Sequence, residues 1–220
     1  MAQQAKSFFL GDDIYAYLRD QSNLDDDLLR ALADETRALG PISGMQIAPE
    51  QGAFMTILVR AIGARRAVEV GTFTGYSAIC IARGLSPDGH LLCCDVNEEW
   101  GAIARSYWAR AGLEDRIELR LAPATETLRS LPLDDPIDIA FIDADKPSYP
   151  TYYDELLPRV RPNGFILVDN VLQRGHVIDP DSDNENVLAI QRFNERLRGD
   201  SRIDFVMLPV SDGLTVIRKR

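Results

Sequence analysis

In the stretch Ala67-Val68-Glu69-Val70-Gly71-Thr72-Phe73-Thr74-Gly75-Tyr76-Ser77, a short apolar run meets two glycines and then a helical pattern. A strand that turns through glycine into a helix lets a ligand approach the backbone and aims the amides of the helix N-terminus at it. The spacing is not the dinucleotide fingerprint Gly-x-Gly-x-x-Gly. Phe73 stands where the second glycine would be, and a pyrophosphate would lose its close access to the backbone. Asp95, 24 positions beyond Gly71, ends the next apolar run, where a carboxylate can accept hydrogen bonds from ribose hydroxyls. Together these residues predict an adenosine site. The bare alternative is that Gly71 and Gly75 only admit tight strand-helix packing and that Asp95 caps the next helix.

Downstream, short apolar runs alternate with longer amphipathic ones, the pattern of parallel strands joined by crossover helices. Strands are predicted at 67–70, 90–96, 117–121, 137–142 and 165–168, and helices at 77–83, 98–111, 125–131 and 149–160. Ser86-Pro87-Asp88-Gly89 and Arg161-Pro162-Asn163-Gly164 read as turns. After an acidic loop at 179–186 come a helix at 187–197 and strands at 203–208 and 214–218, joined by Pro209-Val210-Ser211-Asp212-Gly213. With no helix between them, the last two strands pair antiparallel. The predicted fold is therefore α/β: a doubly wound, mostly parallel, seven-stranded Rossmann-like sheet ending in a hairpin.

Upstream, residues 8–39 carry Leu24, Leu28, Leu29, Leu32 and Leu39 at helical spacing and predict one or two helices, stopped by Gly40-Pro41. A further helix covers 51–62, with Phe54, Ile57, Leu58 and Ile62 on one face. Residues 1–63 thus read as a helical cap on a 64–220 core, within a single domain.

Apolar residues make up 45% and charged residues 26% of the 220, as in soluble globular chains, and no apolar run reaches the roughly 20 residues of a bilayer span. The start, Met1-Ala2-Gln3-Gln4-Ala5-Lys6, lacks a secretory pattern, so a cytoplasmic protein is expected. With 24 basic against 34 acidic side chains the net charge is −10, which repels phosphate backbones and anionic lipid and argues against nucleic-acid or membrane partners. Cys80, Cys93 and Cys94 cannot all pair, and each lies in an apolar stretch, so buried reduced thiols are expected.

The second chemical signal is acidic. Phe141-Ile142-Asp143-Ala144-Asp145-Lys146 ends the fourth strand and Val168-Asp169-Asn170 the fifth. Parallel neighbours bring their C-terminal ends together, so Asp143, Asp169 and Asn170 can converge in the crevice where such sheets bind ligands. Three oxygen donors suit a hard divalent ion, magnesium first, with manganese or calcium as alternatives; no Cys or His joins them as zinc would want. Lys146 starts the following loop, where a nearby cation and desolvation would lower its pKa and let it accept a proton. The alternatives are carboxylates that cap helices and a solvated lysine. His90 and His176 are given no catalytic part.

These residues resemble the metal-dependent O-methyltransferases typified by caffeoyl-CoA O-methyltransferase, with catechol O-methyltransferase as a more distant relative. The resemblance covers nearly the whole chain: 45–54, the 69–77 turn, Asp95-Val96-Asn97, Asp143-Ala144-Asp145-Lys146, Asp169-Asn170, and Leu208-Pro209-Val210-Ser211-Asp212-Gly213-Leu214. It implies S-adenosylmethionine as cofactor. Glu69 and Gly71 would hold its amino-acid end with Thr72 and Ser77 nearby, Asp95 its ribose, and the Ala124 backbone its adenine. Met45, Ile47 and Asp145 match further cofactor-contact positions. Asp143, Asp169 and Asn170 match the metal ligands and Lys146 the general base; a homodimer is also implied. Length and N-terminal region are similar to bacterial members, some of which modify catechols or natural-product scaffolds. One departure stands out. Plant members follow Asp-Asn with an aromatic residue and Asn before a Gly, whereas this chain has Leu172-Gln173-Arg174-Gly175, so the substrate wall differs.

The expected reaction is methyl transfer from the sulfonium to a hydroxyl of a small, catechol-like or natural-product acceptor. Two other classes compete. A nicotinamide-dependent dehydrogenase suits the glycine turn and Asp95 but leaves Phe73 and the acidic trio unexplained. A non-catalytic adenosine-binding module would bind cofactor with no metal dependence.

Overall fold

The computed structural model describes residues 10–24 and 26–220; the readings placed on residues 1–9, including the start of the 8–39 helical pattern, lie outside them. That pattern is two helices, α1 (Asp12–Asp20) and α2 (Asp27–Ala38). The break falls where Asp26 adopts an extended conformation and accepts a hydrogen bond from the Leu29 amide at 2.9 Å, capping α2 anew. A 3₁₀ turn over Gly40–Met45 follows, and then α3 (Pro49–Ala61), with Pro49 in its first turn, where the missing amide is harmless.

The alternating region supplies β1 (Arg66–Val70), α4 (Tyr76–Gly84), β2 (His90–Asp95), α5 (Glu98–Arg110), β3 (Ile117–Leu121), α6 (Ala124–Ser130), β4 (Ile137–Ile142), α7 (Tyr149–Arg159), β5 (Val160–Asp169), α8 (Glu185–Arg198), β6 (Ile203–Leu208) and β7 (Leu214–Lys219). They form one seven-stranded sheet in the order β3-β2-β1-β4-β5-β7-β6. The first five strands are parallel, and β7 pairs antiparallel with both β5 and β6. The hairpin is as expected, but its second strand is inserted beside β5, so β6 becomes the edge.

The expected turn at 161–164 lies within β5. Ile137 pairs with Val160 and Ile139 with Phe165, so Arg161, Pro162, Asn163 and Gly164 loop out as a bulge, with Asn163 left-handed (φ 61°).

One face of the sheet packs with α2, α3, α4 and α5 through Leu32, Met55, Val59, Ile79 and Trp108; the other buries Leu128, Tyr149, Tyr153, Leu156 and Phe193 from α6, α7 and α8. The strand order diverges between β1 and β4, which opens the ligand crevice of doubly wound sheets at their C-terminal ends. The three cysteines are free and buried. Among the described residues no helix is long and apolar enough to cross a membrane.

Candidate active site

The crevice has two halves. At the end of β1, Gly71 is left-handed (φ 87°), and a Cβ there would collide with the backbone carbonyl of Asp143 from the neighbouring strand end. Gly75 (φ 86°) has a different reason: a Cβ would lie 2.7 Å from Trp108 Nε1 and 2.8 Å from Ala104, so this glycine admits α5. Tight packing is therefore the account of Gly75. Phe73, also left-handed (φ 49°), sets its ring edge-on to Trp100 with centroids 4.9 Å apart.

Asp95 organises the turn. Its Oδ2 accepts from the Thr72 and Phe73 amides, both at 2.9 Å, and its Oδ1 from the Val96 and Asn97 amides at 2.7 and 2.9 Å. Asn97, which accepts from the Trp100 amide at 3.0 Å, is the cap of α5. Asp95 is thus a clamp between the ends of β1 and β2 and not a helix cap. A second tie reaches from α2, where the Thr36 and Thr74 hydroxyls lie 2.8 Å apart in the interior.

Glu69 projects from β1 with no exposed surface. Burial pushes its pKa up to about 8; Ser77, Cys93 and Thr72 hold it down in part, and the charge of Asp143 adds to the rise. Glu69 Oε1 and Thr72 Oγ1 are buried without a hydrogen-bond partner. Such atoms mark where a polar ligand group is wanted.

The acidic half lies at the ends of β4 and β5. Lys146 Nζ donates to Asp143 Oδ1 at 3.1 Å, to Asn170 Oδ1 at 2.7 Å and to the Tyr149 hydroxyl at 2.6 Å. Tyr149 passes a hydrogen bond to the Asp169 carbonyl at 3.1 Å, and its ring centroid lies 4.9 Å from Lys146 Nζ. Asp169 is 2% exposed and accepts from the Asn170 amide at 2.8 Å. Burial, and then the charge of Asp143, push its pKa up to about 7, against the pull of Lys146, Gln51 and the Asn170 amide. Asn170 is left-handed (φ 56°), which turns the chain sharply out of β5.

The structure thus brings Asp143, Asn170 and Lys146 together, with Asp169 near enough to feel the charges of Asp143 and Lys146. Among the described residues no trio of His, Cys, Asp or Glu is gathered, so an ion here would rest on two carboxylates and one amide oxygen. The residues fit one: the buried Asp169 carboxylate and the half-buried Asp143 carboxylate repel each other, and the structure already sets a cation, the Lys146 ammonium, against two of the three oxygen donors.

Ser77 is buried in the first turn of α4, Ala124 begins α6, and Asp145 accepts from the Tyr152 hydroxyl at 2.6 Å. Met45 is 46% exposed, whereas the Ile47 side chain packs into the core and leaves only its backbone for a ligand. His90 and His176 are exposed on the surface.

Three residues escaped the sequence reading. Tyr149 and Tyr152 lie within the helix predicted at 149–160 and drew no separate reading, but each presents a hydroxyl to the site. Gln51 of α3 is fully buried near the Asp169 carboxyl, with neither amide atom in a hydrogen bond of ordinary length; its spacing of three and seven residues before Phe54 and Leu58 was the available signal.

A glycine turn clamped by an acidic residue, facing two strand-end carboxylates and a lysine in a seven-stranded sheet with an antiparallel end, defines a class I methyltransferase architecture. The O-methyltransferase family profile matches residues 19–220, and the chain belongs to that family. It is 34% identical over 229 residues to caffeoyl-CoA O-methyltransferase 2 of Zea mays, covering 97% of this chain and 85% of the maize protein. Among solved structures, the O-methyltransferase from Bacillus cereus in complex with SAH superposes with a TM-score of 0.86 at 33% identity, over 94% of this chain and 97% of that one. TomG from Streptomyces achromogenes, involved in tomaymycin synthesis and solved in complex with SAM, gives 0.86 at 31%, over 94% and 96%. The dehydrogenase reading falls with these matches.

Proposed function

We propose that this chain transfers the methyl group of S-adenosylmethionine to a hydroxyl of a small, catechol-like acceptor, with a divalent ion, magnesium foremost, held by Asp143, Asp169 and Asn170. The observation that carries this reading is the gathering of Lys146, Asp143 and Asn170 within 3.1 Å contacts, at strand ends adjoining the glycine turn. In it Asp95 receives the ribose, Gly71 lets the cofactor's amino-acid end approach the backbone, and Ala124 stands at the adenine. Glu69, Thr72 and Ser77 receive the amino-acid end, and Met45, Ile47 and Asp145 complete the cofactor wall.

The bound sulfonium supplies an electrophilic methyl group. The bound ion supplies Lewis acidity that favours the ionised acceptor oxygen. The remaining work falls to the chain. Asp143, Asp169 and Asn170 orient the acceptor from one side while the glycine turn fixes the cofactor opposite, so the transfer becomes a matter of alignment. Lys146 Nζ, having released its own proton to solvent, takes the proton of the acceptor hydroxyl, and Tyr149 holds that nitrogen in place. Burial, with the charges of Asp143 and Asp169, keeps the Tyr149 pKa well above its ordinary value, so its hydroxyl serves as a neutral bridge.

The test is calorimetric titration with S-adenosylmethionine and with NAD, with and without magnesium, alongside methyl transfer to catechol. The expected result is binding of S-adenosylmethionine alone and transfer that stops on chelation. Transfer that persists under chelation overturns the role given to the ion.

A further inference from the structure

Phe141 of β4, Glu69 of β1, Cys93 of β2 and Leu119 of β3 stand in one row of the sheet register, so their side chains leave the same face. Glu69 brings the one carboxyl group of that row, between an aromatic ring and a thiol, and it is wholly buried. Cys93 Sγ donates to Glu69 Oε2 at 3.3 Å, and Cys93 is equally buried. The other carboxyl oxygen, Oε1, has no hydrogen-bond partner. Ser77 and Thr72, which also favour the ionised carboxyl, belong to the helix and turn on the cofactor side; Cys93 alone acts from within the sheet. Burial, reinforced by Glu69, raises the thiol pKa well above its ordinary value, so Cys93 is a protonated donor and not a reactive nucleophile.

We propose that Cys93 is a positioning residue for the cofactor: its thiol pins Glu69 Oε2 and so sets the plane of the carboxyl group, leaving Oε1 for the ammonium of the cofactor's amino-acid end. The terminal torsion of a glutamate is broad and poorly fixed by itself, and no other member of the row can donate a hydrogen bond. The inference rests on Glu69 being the holder of that ammonium group.

Two probes separate positioning from general packing: S-adenosylhomocysteine, which carries the amino-acid end, and 5′-methylthioadenosine, which lacks it. In calorimetric titrations Cys93→Ala is expected to weaken S-adenosylhomocysteine about tenfold and leave methylthioadenosine within about twofold, the scale of one mis-set hydrogen bond to a charged group. Cys93→Val fills the space without a donor and decides the matter should the alanine variant fold poorly. Cys93→Ser keeps a donor and should restore parental affinity. Parental binding of S-adenosylhomocysteine by the Ala or Val variant, or equal weakening of both probes, overturns the proposal. Parental S-adenosylhomocysteine affinity in Glu69→Gln overturns the reading of Glu69 itself, a distinct failure.

Discussion

The two halves of the crevice are built from different materials. The β1–β2 half is made of backbone: left-handed residues at 71, 73 and 75, and four amides gathered by a single carboxylate, Asp95. The β4–β5 half is made of side chains: two carboxylates, an amide and an ammonium, with Asp169 driven up to about 7 by burial and by Asp143. The first is a mould in which the backbone turn takes its shape from steric exclusion, with the Glu69 carboxyl behind it as the group that titrates. The second is a charge well whose balance changes with every cation or proton that enters. A ligand recognised by shape belongs to the former, and chemistry driven by charge to the latter.

That division can be broken most sharply at Asp169. Asp169→Ala should lower methyl transfer roughly a thousandfold or more, the rate equivalent of several kcal/mol of charge stabilisation, with cofactor affinity unchanged by calorimetry. A parallel loss of cofactor affinity would mean that the halves are not separable. Lys146→Ala should reduce turnover roughly 100-fold, within the range of general acid-base catalysis, with part of the rate recovered as pH is raised. Turnover within a few-fold of the parent at neutral pH would remove Lys146 from proton transfer.

In the other half, Asp95→Ala should weaken S-adenosylmethionine binding by about 1–3 kcal/mol while sparing magnesium binding, since the four amides lose their common acceptor. Unchanged affinity in an isothermal titration would show that the turn holds its shape without the clamp.

The smallest expected effect is on stability. Glu69 has a folded-state pKa of about 8 against an ordinary 4.5, so between those values the native state holds more protons than the unfolded state, and stability falls as pH rises. The Tm of the ligand-free protein should therefore decline from pH 5 towards pH 8, with Asp169 adding to the decline below about 7. Glu69→Gln should flatten that decline; an unchanged slope would show that Glu69 ionises in place without penalty.

The same contrast explains what could be read before the structure. Gly71, Asp95, Asp143 and Asp169-Asn170 were legible because strand ends and glycine turns leave local signatures, and parallel topology then forces the ends together. Cys93 beside Glu69 was not legible, because it depends on strand register, which an apolar run such as His90–Asp95 does not reveal. Tyr149 was hidden by amphipathic spacing: the same ring fills the core beside Phe193, with centroids 5.9 Å apart, and only three dimensions show where its hydroxyl goes. The insertion of β7 beside β5 and the bulge at 161–164 were equally out of reach, since the separation of two strands in sequence does not say which of them meets the sheet.

The insertion of β7 has a bearing on biosynthesis. Asp169 faces Leu214 across the antiparallel ladder, so its strand has an open side until β7 is added. Every residue of the 69–95 half, by contrast, together with the β4 strand that flanks it, precedes Asp145. During vectorial synthesis, when earlier segments can organise first, the nascent chain acquires the residues of its cofactor mould some seventy residues before the strand that closes the ladder beside Asp169. The acidic half is thus the last to be completed, and a nascent chain stalled before Leu214 would carry the mould with an unfinished charge well.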